Sequence, residues 1–148
     1  MRLAQIIVLA LAFSSVAYAN TPQAQDRLRY RQALTALNEA RYGQFRRLYH
    51  ELDGYIARPY LRYHYLMDRL RHDRPRAVAA FLARYPQLPV TAKLRRGWLK
   101  FLARRHEDKR FLAAYDPSLD SDVSLHCYDL AARARAGQNV APQCAHCG

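Results

Sequence analysis

The stretch from Val78 to Tyr128 reads VAAFLARYPQLPVTAKLRRGWLKFLARRHEDKRFLAAYDPSLDSDVSLHCY. Three apolar-periodic segments follow one another in it, separated by short breaks that carry Pro or Asp. The middle segment, from about residue 90 to residue 105, has the clearest amphipathic pattern. Leu94, Trp98, Phe101 and Leu102 recur at helical spacing on one face, and Trp98 is the only tryptophan. Lys93, Arg96, Lys100 and Arg104 form a second stripe beside it, at i, i+3, i+7 and i+11. Such segments predict antiparallel helices packed by neighbour contacts, with Trp98 as a packing centre rather than a sugar platform.

The same pattern extends to both sides. Thr21-Pro22 is a helix start, with Thr as N-cap and Pro at the first helical position. The first helix runs to about Ala40 on a face of Tyr30, Ala33, Leu34 and Leu37, and Gly43 marks the turn. A second helix, from about Gln44 to Leu52, carries Phe45, Leu48, Tyr49 and Leu52 and ends at Asp53-Gly54. Pro59 opens a third, apolar on more than one side, as a helix with two neighbours must be. Asp73 and Pro75 start the fourth, on Val78, Phe81, Leu82 and Tyr85. Pro86 and Pro89 break it and launch the fifth. The sixth holds Phe111, Leu112 and Tyr115 and stops at Asp116-Pro117. Ser121 or Asp122 caps the seventh, with Leu125, Tyr128, Ala131 and Ala132 inward and Gly137 as C-cap. Strand-like alternation is absent from the sequence. Helix pairs starting every roughly 30 to 36 residues predict an all-α superhelical array of antiparallel helix hairpins, an α-solenoid.

The chain of 148 residues has the size of one ordinary domain, and its 51% hydrophobic content suffices for a core. Residues 1–19 read as a signal peptide: Arg2, an apolar run from Ile6 to Phe13, and Ala17-Tyr18-Ala19 before the cleavage point. The apolar run is shorter than the about 20 residues of a membrane span. The expected organisation is a signal peptide at 1–19, a superhelical domain at 20–138 and an irregular Cys-containing tail at 139–148. The expected location is the periplasm, with no stable membrane span after cleavage. The formal net charge of +12 calls for an anionic partner. In an exported chain, nucleic acid is not expected in that role.

Enzymatic constellations are missing from the sequence. The 12 Asp and Glu fall nearly all at helix ends, in breaks or on polar faces, where capping and solvation account for them. It contains neither a G-x-S-x-G nor an H-E-x-x-H motif. No catalytic residue, metal site or cofactor is expected. The three cysteines, Cys127, Cys144 and Cys147, allow one bridge in an exported chain, from Cys127 to Cys144 or Cys147. Cys144-Ala-His-Cys147 could also be a redox pair, or join His126, Cys127 and His146 around zinc, though its spacing is that of no known finger. Eleven tyrosines are many. Tyr60, Tyr63 and Tyr65 read as core, with sugar stacking as the sharper alternative. The stripe Lys93, Arg96, Lys100 and Arg104 is either a solvated face or a ligand-binding surface. The excess of 23 Lys and Arg over 12 Asp and Glu after signal removal is larger than solubility needs, which keeps the second reading open.

Several motifs together carry a resemblance. P-Y-L-x-Y-x-x-L spans Pro59 to Leu66, F-L-x-x-x-P-x-L-P spans Phe81 to Pro89, and L-R-x-x-W-L-x-x-L-A-R spans Leu94 to Arg104. Cys127-Tyr128 then precedes a small-residue helix and Gly137. Over roughly residues 25 to 138 the chain resembles the N-terminal superhelical region of the soluble periplasmic lytic murein transglycosylases. The resemblance implies a U-shaped helical region of a longer enzyme. There, a lysozyme-like domain cleaves the murein glycan with a glutamate in an E-S-x-F context. No E-S-x-F occurs here: Glu51 is followed by Leu52-Asp53 and Glu107 by Asp108-Lys109. In the family the cysteine matching Cys127 is partnered by one further along, which makes Cys144 the candidate here. The tail QNVAPQCAHCG departs from the family pattern.

The sequence therefore predicts a non-catalytic superhelical segment that binds or positions peptidoglycan or another anionic envelope component, or docks a cell-wall protein. Lys93, Arg96, Lys100 and Arg104 are the candidate binding residues. The alternatives are a truncated remnant of a full-length transglycosylase without independent function, and a zinc-responsive exported module.

Overall fold

Thr21 caps the first helix as the sequence predicts. Its hydroxyl accepts from the Ala24 amide at 3.2 Å, and Pro22 supplies a fixed φ at the first helical position. The computed structural model describes residues 21–72, 75–119, 121–140 and 147, so the predicted signal peptide at 1–19, Asp73, Cys144 and His146 lie outside them. Among the described residues there are seven α-helices and no strand: α1 Pro22–Asn38, α2 Tyr42–Glu51, α3 Arg58–Asp68, α4 Pro75–Arg84, α5 Pro89–Arg104, α6 Asp108–Ala114 and α7 Val123–Arg135. Short 3-10 turns follow at Leu70–His72 and Pro117–Leu119. The all-α reading holds. None of these helices is long and apolar enough to cross a membrane.

Three helix ends follow one device. A residue in the left-handed region closes the helix, and its own amide and the next one turn back to carbonyls of the last turn. After α1 that residue is Ala40, at φ 56°, with Ala40 N–H donating to Leu37 O and Arg41 N–H to Ala36 O. After α5 it is His106, at φ 55°, with His106 and Glu107 donating to Ala103 and Leu102. After α7 it is Gly137, at φ 81°, with Gly137 and Gln138 donating to Ala134 and Arg133. Gly137 is the predicted C-cap. The first turn differs from prediction: Ala40 makes it, and Gly43 lies inside α2.

Residues up to His64 and residues from Tyr65 onward form two compact units, and the division falls inside α3. In the first unit α1 and α2 lie against each other. Ala33, Ala36 and Leu37 of α1, Phe45 of α2 and Leu52 after it are buried. The chain then turns at Gly54, φ 78°. Arg58 fastens that turn: its guanidinium lies 4.3 Å over the Tyr49 ring, donates to Tyr49 O at 3.1 Å and pairs with Asp53.

The second unit has a larger apolar interior. Helix α5 supplies Leu94, Trp98, Phe101 and Leu102 as predicted, and Leu99 as well. Val78, Phe81 and Leu82 of α4, Phe111 of α6 and Leu125 and Leu130 of α7 are buried too. Each fully buried side chain of this size contributes about 1.5–3 kcal/mol relative to exposure. At Gly97 an added Cβ would stand 3.2 Å from Met67 Cε, so the missing side chain admits the methionine. A disulfide joins Cys127 of α7 to Cys147, and Val140 is buried on the intervening path. Of the two partners left open for Cys127, the structure takes Cys147. Cys144, the family-like candidate, is not the partner.

Candidate basic face and arginine-rimmed groove

Helix α5 contributes to two candidate surfaces. Lys93, Arg96, Lys100 and Arg104 are all exposed and follow one another along its solvent side, opposite Leu94 and Leu102. At 1.5 Å rise per residue the stripe is roughly 16 Å long. Its members are not equivalent. Lys100 Nζ lies 2.8 Å from Asp122 Oδ2, and Asp122 also caps α7 by accepting from the Leu125 amide. The Lys100 bond, the Leu125 amide and the nearby Arg96 charge hold Asp122 below the usual carboxylate range. Lys100 therefore serves the fold, and among the described residues no ion pair joins Lys93, Arg96 or Arg104.

On another side of α5, an open groove of about 670 Å³ lies in the second unit, lined from α4, α5, α6 and the residues just after α6. Ala79, Leu82 and Ala83 of α4, Trp98 of α5, and Ala113 and Ala114 of α6 give it an apolar lining of mostly small side chains. Arg76, Arg95 and Arg110 add one guanidinium from each helix. Among the described residues Asp116 is the only carboxylate in the lining, and it is already engaged with Arg95 and the Ser118 amide. Hydrogen bonds from Ser118, with Arg95 beside them, hold its pKa below the ordinary value. Arg110 shares Glu107 with Arg105. Trp98, 7% exposed, is a packing centre as predicted and also part of the groove lining. The groove was missed in the sequence, although Arg95 and Trp98 stand one helical turn apart, as do Arg110 and the Ala113-Ala114 pair.

Asp108 has the strongest environment of any carboxylate described. Arg135 holds it in a two-point grip at 2.7 and 2.8 Å, and the Tyr128 hydroxyl donates to it at 2.7 Å. These bonds lower its pKa to about 2, with Arg135 the main cause. Burial and the Asp108 charge push the Tyr128 phenol up. A carboxylate so held stays ionised and cannot donate a proton at neutral pH. Its work is to join α6 to α7.

The remaining candidates divide in the same way. The bridge consumes Cys127 and Cys147, so neither thiolate is left for zinc, and the C-x-x-C pair is not itself joined. Among the described residues no three His, Cys, Asp or Glu side chains gather as a metal site. Of the tyrosines singled out, Tyr63 and Tyr65 are buried and Tyr60 is half-buried. Tyr30 and Tyr55 meet edge to face, 6.0 Å between centroids, and burial together with the Tyr55 and Tyr60 phenols raises the Tyr30 pKa.

Curated relatives now bear on this architecture. The chain is 31% identical over 140 residues to the soluble lytic murein transglycosylase of Salmonella typhimurium, covering 95% of this chain and 21% of that protein. It is 31% identical over 132 residues to the enzyme of the same name from Escherichia coli K12, covering 89% of this chain and 20% of that protein. The chain resembles the soluble lytic murein transglycosylases. It spans about a fifth of the length of the relatives it matches. No protein-family model matches the chain, and no solved structure matches it. In this transglycosylase-like chain the similarity covers the basic face and the groove alike.

Proposed function

We propose that this chain is a non-catalytic, exported segment that binds or positions peptidoglycan, or docks a cell-wall protein, through the basic face of α5 in the periplasm. Its hairpins stack as a superhelix, the arrangement that a helix apolar on two sides serves. The observation that carries the reading is the row of exposed cations, Lys93, Arg96 and Arg104, on a chain similar to murein enzymes. Murein offers the complementary anions in its carboxylated glycan and stem peptides.

Co-sedimentation with purified sacculi at increasing salt tests it. Charge reversal at Lys93, Arg96 and Arg104, with Lys100 kept because it holds Asp122, should weaken retention about tenfold, since three exposed charges contribute roughly 1–2 kcal/mol together. Retention that neither salt nor the triple variant weakens excludes the basic face as its cause. A second reading, a remnant of a full-length lytic transglycosylase, is supported by the one-fifth coverage of the relatives. Translation of the downstream DNA in all frames separates the two: a continuing helical array with an E-S-x-F segment favours the remnant.

A further inference from the structure

We propose that the groove between α4, α5 and α6 binds a short peptide with a free carboxylate and small apolar side chains, the chemistry of a murein stem peptide. The inference rests on the peptidoglycan reading for the identity of the ligand, but not on the basic stripe. Three observations support it. The volume of about 670 Å³ lies in the range of small-ligand sites. The lining is made shallow by Ala79, Ala83, Ala113 and Ala114, which leave room for methyl-sized side chains and exclude nothing by charge. Among the described residues, Arg76, Arg95 and Arg110 stand around it against Asp116 alone.

That charge balance decides the kind of ligand. Asp116 offsets Arg95, to which it is bonded. Glu107, outside the lining, is divided between Arg105 and Arg110. No ion pair joins Arg76 among the described residues. A positive rim over an apolar floor favours a ligand that is anionic at one end and apolar along its length. A planar guanidinium fork grips a carboxylate through two parallel hydrogen bonds, which a carboxamide cannot reproduce. A neutral glycan would leave the Arg76 guanidinium without a charged partner.

Trp98 makes the test direct. It is the single tryptophan and lines the groove, so its fluorescence reports occupancy in the full chain. The probe is an acidic tetrapeptide ending in D-alanine, titrated as the free acid and as its C-terminal amide. The free acid should give a saturable change, and the amide should bind at least about fivefold more weakly, as loss of a charge-assisted pair requires. Arg76→Gln should weaken the acid by a similar factor, and Ala83→Phe, at an exposed position, should fill the groove and abolish the response. Circular dichroism of both variants should match that of the parent. Absence of a saturable response, or equal response to acid and amide, overturns the proposal and gives the groove to another occupant. The stripe variant separates the two readings. Loss of sacculus retention with peptide binding intact supports both sites. Wild-type retention on sacculi without any Trp98 response overturns the groove alone, and a Trp98 response without retention overturns the stripe alone.

Discussion

The two units use the same charged residues differently. In the residues up to His64, the ion pairs of Arg29 and Arg41 are local or loose. Arg29 meets Asp26 one turn away, Arg41 meets Glu39 two residues away, and the pair joining α1 to α2, Arg29 with Glu51, is 3.6 Å long between largely exposed groups. From Tyr65 onward, Glu107 pairs locally with Arg105 and Arg110, but three carboxylates in or beside the breaks bind groups on other helices. Asp108 takes Arg135 and Tyr128, Asp116 takes Arg95, and Asp122 takes Lys100 while capping α7. A break residue that caps one helix and grips another ties the two together. The second unit also has the disulfide and the wider apolar interior. The comparison teaches that acidic breaks in a basic chain can be fastenings rather than solvated turns.

The largest expected effect comes from opening the disulfide. Reduction, or Cys127→Ser, releases a closure of 20 residues and should lower stability by about 3 kcal/mol in the chain-entropy account. Amide hydrogen exchange resolved along the chain should show the loss in α5, α6 and α7, with α1 and α2 unchanged. Equal loss of protection in α1 and α2 would break the comparison, because the units would then not respond separately.

Acid gives the next effect. The Asp108 pKa is held at about 2, and those of Asp116 and Asp122 are also lowered, all in the second unit. A depressed folded pKa contributes stability that is present above the unfolded value and lost as pH falls from about 4 toward 2. Denaturation followed by Trp98 fluorescence should therefore show falling stability across that window. Asp108→Asn should be less stable near neutrality and flatter with acid. An unchanged slope in the variant would remove Asp108 as the main acid-sensitive fastening.

The sequence made the helices legible because their starts carry strong local signals. Pro22, Pro75 and Pro89 fix φ where a helix begins, and Thr21 and Asp122 supply the caps. The ends of α1 and α5 were placed near Ala40 and residue 105, close to where they fall, but the residues that close them were not legible, because Ala40 and His106 adopt the left-handed conformation without the glycine that usually announces it. Helical periodicity identified the basic stripe as a surface but could not place Asp122 beside Lys100, a contact between residues far apart in the chain. The groove was hidden for a similar reason. Alanines at 79, 83, 113 and 114 have the composition of any helix, and arginines 76, 95 and 110 meet only after three helices pack. Cysteine spacing likewise left Cys144 and Cys147 as equal candidates, and the bond from Cys127 to Cys147 decides between them.

The smallest expected effect sharpens the comparison from the other side. Glu51→Gln removes the carboxylate that joins α2 to α1 and keeps the side-chain volume. Both partners are well exposed, 37% for Arg29 and 55% for Glu51, so water and salt screen the pair and ordering two long side chains offsets much of the gain. Arg29 also retains Asp26 at 3.1 Å, which leaves its charge with a partner after the substitution. The buried faces of Ala33, Ala36, Leu37 and Phe45 are untouched. Urea denaturation should place the variant within about 0.5 kcal/mol of the parent, and added salt should shrink even that difference. A loss above about 1 kcal/mol would mean that a single exposed pair fastens α1 to α2 as the break carboxylates fasten the second unit, and the contrast between the units would fail.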